Sequence, residues 1–254
     1  MDKEILRKLN LFLADYENKN DVVGVLVCGS YVTGHPNAHS DLDVHLLLRN
    51  NVGYRERGNR IVEGLLVEYF ANTKQQILAY FKKDYANISP MSQTQFATGE
   101  IIVDKTGEVA ELKTLATQQL AKKYADLDTT PSQLTLYAIW DSLDDLQSIL
   151  EEGREDFDFI YYNKLNNLLG VYFKTIKTPY NCKTVMGHLT SEIVRNKYLL
   201  DEIEDEKMAK LIKICVLEKD RNIRMKAFAE IANDLLCKGG FEIDKFTFKS
   251  KEDV

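Results

Sequence analysis

The chain has 254 residues, of which 44% are apolar, and a formal net charge of −6. This length suits one large domain or two modest ones, and either arrangement can bury a sizeable core. The acidic balance argues against a surface that neutralises many nucleic-acid phosphates, so we expect no long nucleic acid as a partner.

The N-terminus and the apolar runs predict neither an export signal nor a membrane span. The first four residues carry charges of both signs, and the longest apolar runs, such as Val22 to Cys28, are strand-sized. A bilayer span needs roughly 20 apolar residues. The chain also has four widely scattered cysteines: Cys28, Cys182, Cys215 and Cys237. Without a CxxC pair or zinc-like spacing, they predict reduced, buried thiols in a cytoplasmic protein.

In chain order, the first half predicts a helix and then a mixture of strands and helices. Apolar residues recur at helical spacing from Ile5 to Tyr16. Four runs rich in Val, Ile and Leu read as strands: Val22 to Cys28, Leu42 to Arg49, Gly64 to Ala71 and Glu100 to Asp104. Helices are predicted over Thr73 to Lys83 and Val109 to Tyr124. The pattern indicates an α+β (α/β) domain over residues 1–126, with a small mixed β-sheet flanked by helices.

The second half, residues 127–254, predicts an α-helical bundle. Its predicted helices are Gln133 to Glu152, Phe157 to Lys177, Thr184 to Asp201, and two between Glu206 and Leu236. An apolar stretch from Phe241 to Phe248 is expected to dock on the bundle. A charged, frayed tail is expected at Ser250 to Val254.

The most informative segment joins the first two predicted strands. Gly29 ends the first strand, and its missing side chain lets the backbone and the Ser30 hydroxyl approach a ligand such as a phosphate. Asp41 and Asp43 begin the second strand, where alternation places both on one face about 7 Å apart. Two such carboxylates repel one another unless a cation lies between them, and hard oxygen ligands suit Mg²⁺ or Mn²⁺.

A third acid is predicted in a later strand. Glu68 lies in an otherwise apolar run, where an ionisable side chain is costly unless it has a partner or a function. It would complete a site for two metal ions. Glu63 is the alternative, but it precedes the strand and is interpreted as a solvated loop charge.

Taken together, Gly29-Ser30, Asp41-Leu42-Asp43 and Glu68 resemble the motif of the polymerase-beta-like nucleotidyltransferase superfamily. A catalytic domain followed by a helical bundle is similar to the bacterial aminoglycoside and lincosamide nucleotidyltransferases. The motif spans about 45 residues and is fairly specific. The similarity of the flanking segments and of the bundle is weaker.

The resemblance implies a role for each matching residue. Gly29 and Ser30 would hold the β and γ phosphates of ATP or another NTP, and Asp41 and Asp43 would bind two Mg²⁺ ions, or Mn²⁺. Glu68 would bind the catalytic metal, act as general base, or do both. A bundle lysine, for which we choose Lys164, would reach the triphosphate.

The bundle offers hypotheses about the acceptor. Trp140 with Asp141, Asp144 and Asp145 would form a wall for a cationic acceptor, although a core tryptophan beside a solvated acidic face explains them equally simply. His35, His39 and His45 lie close in sequence but lack zinc-like spacing, and His45 is interpreted as a structural histidine.

Three functions of different classes fit these observations. The first is a small-molecule nucleotidyltransferase of the antibiotic-modifying type, which transfers AMP to a hydroxyl of an aminoglycoside or lincosamide. The second is a protein adenylyltransferase of a toxin–antitoxin or regulatory system. The third is a non-catalytic nucleotide-binding or structural module, in which the bundle is an interaction surface. The expected partners are an NTP and a small hydroxyl-bearing acceptor, without nucleic acid or membrane, and the expected assembly is a monomer or a homodimer.

Overall fold

The computed structural model describes residues 1–249, so the predicted tail at Ser250 to Val254 lies outside the described residues. The contacts of the chain separate it into two compact units. The first unit is Met1–Ala125, and the second begins at Asp126. The catalytic and acceptor-binding roles predicted for the two halves remain predictions.

The first unit is built on a five-stranded mixed sheet. Its strands are β1 (Val22–Cys28), β2 (Leu42–Leu48), β3 (Glu56–Val62), β4 (Leu65–Thr73) and β5 (Glu100–Asp104). They lie in the order β3-β4-β2-β1-β5. β2 and β4 are parallel, and the other neighbouring pairs are antiparallel. The predicted α+β class with a small mixed sheet is therefore confirmed.

β3, which is an edge strand, was not predicted from the sequence. Four of its seven residues are polar and none is buried, so it shows no apolar alternation. It pairs with β4 through a two-residue turn at Glu63 and Gly64, with φ of 47° and 80°. Two consecutive positive φ values are those of the tight hairpin turn that matches strand twist. The turn dipeptide is the signal that could have located the strand.

The helices of the first unit cover both faces of the sheet. They are α1 (Lys3–Asp15), α2 (Ser30–Thr33), α3 (Lys74–Ala86), α4 (Met91–Thr98) and α5 (Glu108–Ala121). α1 packs Leu9 and Phe12 against one face, together with Tyr16. α3, α4 and α5 form a second core on the other face. Neither α2 nor α4 was predicted from the sequence. α4 buries only Gln93 and Phe96, which are too few positions to show a helical period.

The second unit is a helical bundle. Its helices are α6 (Gln133–Glu151), α7 (Phe157–Thr175), α8 (Val185–Thr190), α9 (Glu192–Tyr198), α10 (Glu206–Leu217) and α11 (Arg221–Lys238). Buried side chains of α6, α7, α8, α10 and α11 form one core. The ring of Phe246 stacks on Tyr137 with centroids 4.5 Å apart, so the C-terminal apolar stretch does dock. No helix within residues 1–249 is long and apolar enough to cross a membrane.

One predicted helix of the bundle was wrong. The segment predicted as a single helix from Thr184 to Asp201 is the pair α8 and α9. Ser191 between them has extended backbone angles, and its hydroxyl accepts a hydrogen bond from the Val194 amide as the cap of α9. A Cβ on Gly187 would lie 2.8 Å from Val194, so the two short helices pack too closely for any larger residue there.

We expect Phe173→Ala to lower the free energy of unfolding by about 3–5 kcal/mol, because it removes a fully buried ring and leaves a cavity. Phe173 is 1% exposed, whereas Phe159 on the same helix is 79% exposed. Phe159→Ala is the matched control and should change stability by no more than about 0.5 kcal/mol. Urea unfolding followed by circular dichroism measures both. Equal losses of unfolding free energy in the two variants would contradict the assignment of Phe173 to the buried face of α7.

Candidate functional site

Three carboxylates converge at one end of the sheet. One oxygen from each of Asp41, Asp43 and Glu68 lies within 4.8 Å of the other two, and all three residues are half-buried. Asp43 on β2 stands directly opposite Glu68 on β4 in the parallel pair. Asp41 immediately precedes β2. The structure thus brings together the three acids that the sequence singled out, and we refer to them as the carboxylate cluster.

The apolar residues between the acids fix which way the acids point. Leu42, Val44 and Val67 are fully buried in the core beneath α1. Because strand side chains alternate, Asp43 and Glu68 must lie on the opposite face. A slip of one residue would bury the charges and expose the aliphatic side chains, so the register is strongly specified.

Gly29 carries the chain past the carboxylate cluster. Its φ of 79° and ψ of −157° lie in a region that is open essentially only to glycine. A Cβ at this position would overlap Oδ2 of Asp43. The Thr33 hydroxyl donates to the Gly29 carbonyl at 3.1 Å and holds the turn. Ser30, half-buried, follows directly as the first residue of α2.

The thiol of Cys28 lies beside the acids but is not a nucleophile. Cys28 is fully buried and stands opposite Asp43 in the antiparallel pair. Burial raises the pKa of the thiol, and the charges of Asp43 and Asp41 raise it further. It therefore stays protonated at neutral pH. The prediction of buried thiols is confirmed for Cys28 and Cys215 but was wrong for Cys182 and Cys237, which are exposed.

His45 occupies the deeper part of the same face. Its ring stacks on Phe70 with centroids 5.2 Å apart and lies 4.9 Å from the ring of Phe96. Nε2 donates to the Gln95 side-chain oxygen at 3.2 Å. Burial lowers its pKa to about 4, so His45 is a neutral core residue. Within residues 1–249, the carboxylate cluster is the only group of three or more candidate metal ligands, and it contains no histidine.

Arg57, which was not among the predicted site residues, contacts the carboxylate cluster. Arg57 on β3 donates through Nη2 to Oε1 of Glu68 at 2.6 Å. Its guanidinium centre lies 4.8 Å from the centroid of the Phe70 ring. Arg57 stands opposite Phe70 in the hairpin, and so belongs to the same face as Glu68. Because β3 was not recognised as a strand, nothing in the sequence placed Arg57 there.

The candidate residues of the bundle have partners within the second unit. Lys164 forms an ion pair with Asp145 at 3.1 Å. Trp140 stacks on Tyr137 and packs partly buried against the core. The roles predicted for these residues in binding the triphosphate or the acceptor remain predictions.

A cavity of about 630 Å³ opens elsewhere in the second unit. Its lining includes hydroxyl groups, two asparagines, Tyr180 and a single charged side chain, Lys174. None of Trp140, Asp141, Asp144, Asp145 and Lys164 lines it. No carboxylate belongs to the lining, so the cavity suits a neutral or anionic polar molecule better than a polycation.

The carboxylate cluster fits a hard divalent cation. All of its donor atoms are carboxylate oxygens, which Mg²⁺ and Mn²⁺ prefer, and none is a thiolate or imidazole. Oxygens bound to one Mg²⁺ at 2.0–2.1 Å are at most about 4.2 Å apart. The three oxygens lie within 4.8 Å of one another, which is close to this limit.

Comparison with known proteins gives similarities of structure but none of sequence. No protein-family model matches the sequence, and no curated protein matches it. The chain is similar to a solved nucleotidyltransferase-like protein from Exiguobacterium sibiricum 255-15, with 11% identity and a TM-score of 0.49 over 93% of this chain and 77% of that chain. Values this low assign neither fold nor function, so both rest on the geometry described above.

We expect Gly29→Ala to weaken Mn²⁺ binding by at least tenfold and to lower the melting temperature, because the new methyl group would displace the Asp43 carboxylate. Gly34→Ala is the control. Gly34 also has a positive φ, 81°, but an added Cβ would meet nothing within 4 Å. It should cost about 1 kcal/mol of stability and leave metal affinity unchanged. Calorimetric titration with Mn²⁺ and thermal unfolding distinguish the two, and equal metal affinities would contradict the proposed contact.

Proposed function

We propose that this protein is a metal-dependent nucleotidyltransferase that moves a nucleoside monophosphate, AMP in our first choice, from an NTP to an acceptor hydroxyl. The observation that supports it most strongly is the convergence of Asp41, Asp43 and Glu68 beside a turn that only Gly29 can make. Acids in this arrangement suit divalent cations, and a glycine turn next to them suits the close approach of a phosphate.

The residues divide the chemistry as follows. Gly29 and Ser30 bind the β and γ phosphates, while Asp41, Asp43 and Glu68 would hold Mg²⁺ or Mn²⁺. Ions held there would supply positive charge to the triphosphate and to the leaving pyrophosphate. Glu68 accepts the proton of the acceptor hydroxyl, whose oxygen forms a bond to the α phosphorus as the bond to pyrophosphate breaks. Catalysis depends mainly on positioning and charge neutralisation.

For the acceptor we propose a small hydroxyl-bearing molecule, with aminoglycosides and lincosamides as the first classes to test. The overall charge of −6 supports a cationic or neutral acceptor over a nucleic acid. Because the cavity of the second unit has no carboxylate in its lining, it does not itself favour a polycationic aminoglycoside. The alternative is transfer to a protein hydroxyl, in a toxin–antitoxin or regulatory system. We propose a cytoplasmic location and a monomer or homodimer.

We expect Asp43→Asn and Glu68→Gln each to reduce nucleotidyl transfer by at least about 100-fold, beyond the 10–100-fold typical of residues that only support a metal ligand. The assay follows pyrophosphate release and labelled adduct with Mg²⁺, labelled NTPs and a panel of aminoglycosides and lincosamides. Asp15→Asn is the control, because Asp15 is an exposed acid of α1 outside the carboxylate cluster.

In a second version of this assay, host lysate replaces the antibiotic panel as the source of acceptors. A labelled protein band that disappears with Asp43→Asn would favour the protein-modifying alternative. Calorimetry with a non-hydrolysable ATP analogue and Mg²⁺ is the deciding measurement for the shared chemistry. A folded protein that binds no NTP in the presence of Mg²⁺ would exclude nucleotidyl transfer and favour the non-catalytic, structural module.

A further inference from the structure

Arg57 is held in place by three independent features. The β3–β4 register sets its backbone opposite Phe70, on the face that also carries Glu68. Its guanidinium lies over the Phe70 ring and donates to Glu68 Oε1. The side chain is nevertheless 69% exposed, while that of Glu68 is 19% exposed. The arginine thus covers the solvent side of an acid that is itself partly desolvated.

The charge of the cluster gives this contact its significance. Three carboxylates within 4.8 Å carry three negative charges when ionised, and their mutual repulsion is relieved only by a nearby cation. Arg57 supplies one positive charge to the member at the edge of the cluster. A divalent cation bound between the acids would be repelled by that same positive charge, and would share Glu68 with it.

We propose that Arg57 is the counter-cation of Glu68 in the metal-free protein and that it competes with divalent cations for this carboxylate. Arg57 is therefore a positioning residue that holds Glu68 at the edge of the cluster and limits its affinity for free metal ions. This inference rests on the proposed function, because it takes the carboxylate cluster to be a metal site. The guanidinium centre also lies 4.8 Å from the centroid of the Phe70 ring, a contact that does not depend on the charge of the acid.

The sign of the expected effect separates this role from a structural one. A unit charge about 6 Å from a divalent cation changes the affinity by about tenfold in a water-like dielectric. Arg57→Gln should therefore raise the affinity of the nucleotide-free protein for Mn²⁺ by about tenfold. If Arg57 served only to maintain the local structure, its loss would lower the affinity or leave it unchanged.

The test is calorimetric titration of the full chain with Mn²⁺ at 0.05 M and 1 M NaCl, with thermal unfolding as a check on folding. Arg57→Lys retains the charge and should stay within about threefold of the unmodified protein. Arg60→Gln is the matched control, because Arg60 lies on the same strand and pairs with Asp15 rather than with the cluster. The gain from Arg57→Gln should shrink towards nothing at 1 M NaCl, where the screening length falls to about 3 Å.

Each outcome decides the matter. A tenfold gain with Arg57→Gln alone, lost at high salt, supports the inference. An unchanged or lower affinity, or an equal gain with Arg60→Gln, overturns it and leaves the proposed function standing if the unmodified protein still binds Mn²⁺ with an ATP analogue. If the unmodified protein binds no Mn²⁺ with or without the analogue, the proposed function and this inference both fail.

Discussion

The parallel pairing of β2 with β4 is the constraint on which the candidate site depends. It places Asp43 directly opposite Glu68, while the residues on either side of each acid, Leu42, Val44, Val67 and Tyr69, are buried beneath α1. Burial of the aliphatic face is worth about 1.5–3 kcal/mol for each large side chain, far more than any exposed ion pair contributes. The hydrophobic core therefore forces the acids together, and their repulsion persists as a cost that a cation can relieve.

The face of the sheet that carries Asp43 and Glu68 changes from uncharged to acidic along its length. Towards α3, α4 and α5 it carries His45, Phe70 and Asn72, and the histidine is kept neutral by burial. Towards the cluster it carries Asp43 and Glu68, with the protonated Cys28 opposite Asp43 on the neighbouring strand β1. An uncharged interior thus adjoins an acidic margin. A cation bound to this face would lie at its acidic end, because carboxylate oxygens and solvent are both available only there.

Sequence periodicity was informative wherever burial set the pattern. β1, β2 and β4 and the long helices α6 and α7 were located because each buries a regular set of apolar residues. β5 was located from its run of Ile and Val residues, although none of its residues is fully buried. The acids were located for the same reason, since charges in an otherwise apolar run are conspicuous. β3 and α4 were missed because their formation depends on partners: β3 pairs along an exposed edge, and α4 buries few residues. The break at Ser191 was missed because a single serine cap does not interrupt helical spacing.

Arg57 shows why the rest of the site could not be predicted from the sequence. A motif search finds residues whose neighbours in the chain reveal their burial, whereas Arg57 is exposed and its importance comes only from the strand beside it. Its contact with Glu68 also changes how the acids should be understood. Three carboxylates alone would attract free divalent ions strongly, but a tethered guanidinium offsets part of that attraction. A metal ion that arrives already bound to a triphosphate brings its own compensating charge, so the arginine would disfavour the free ion more than the nucleotide-bound one.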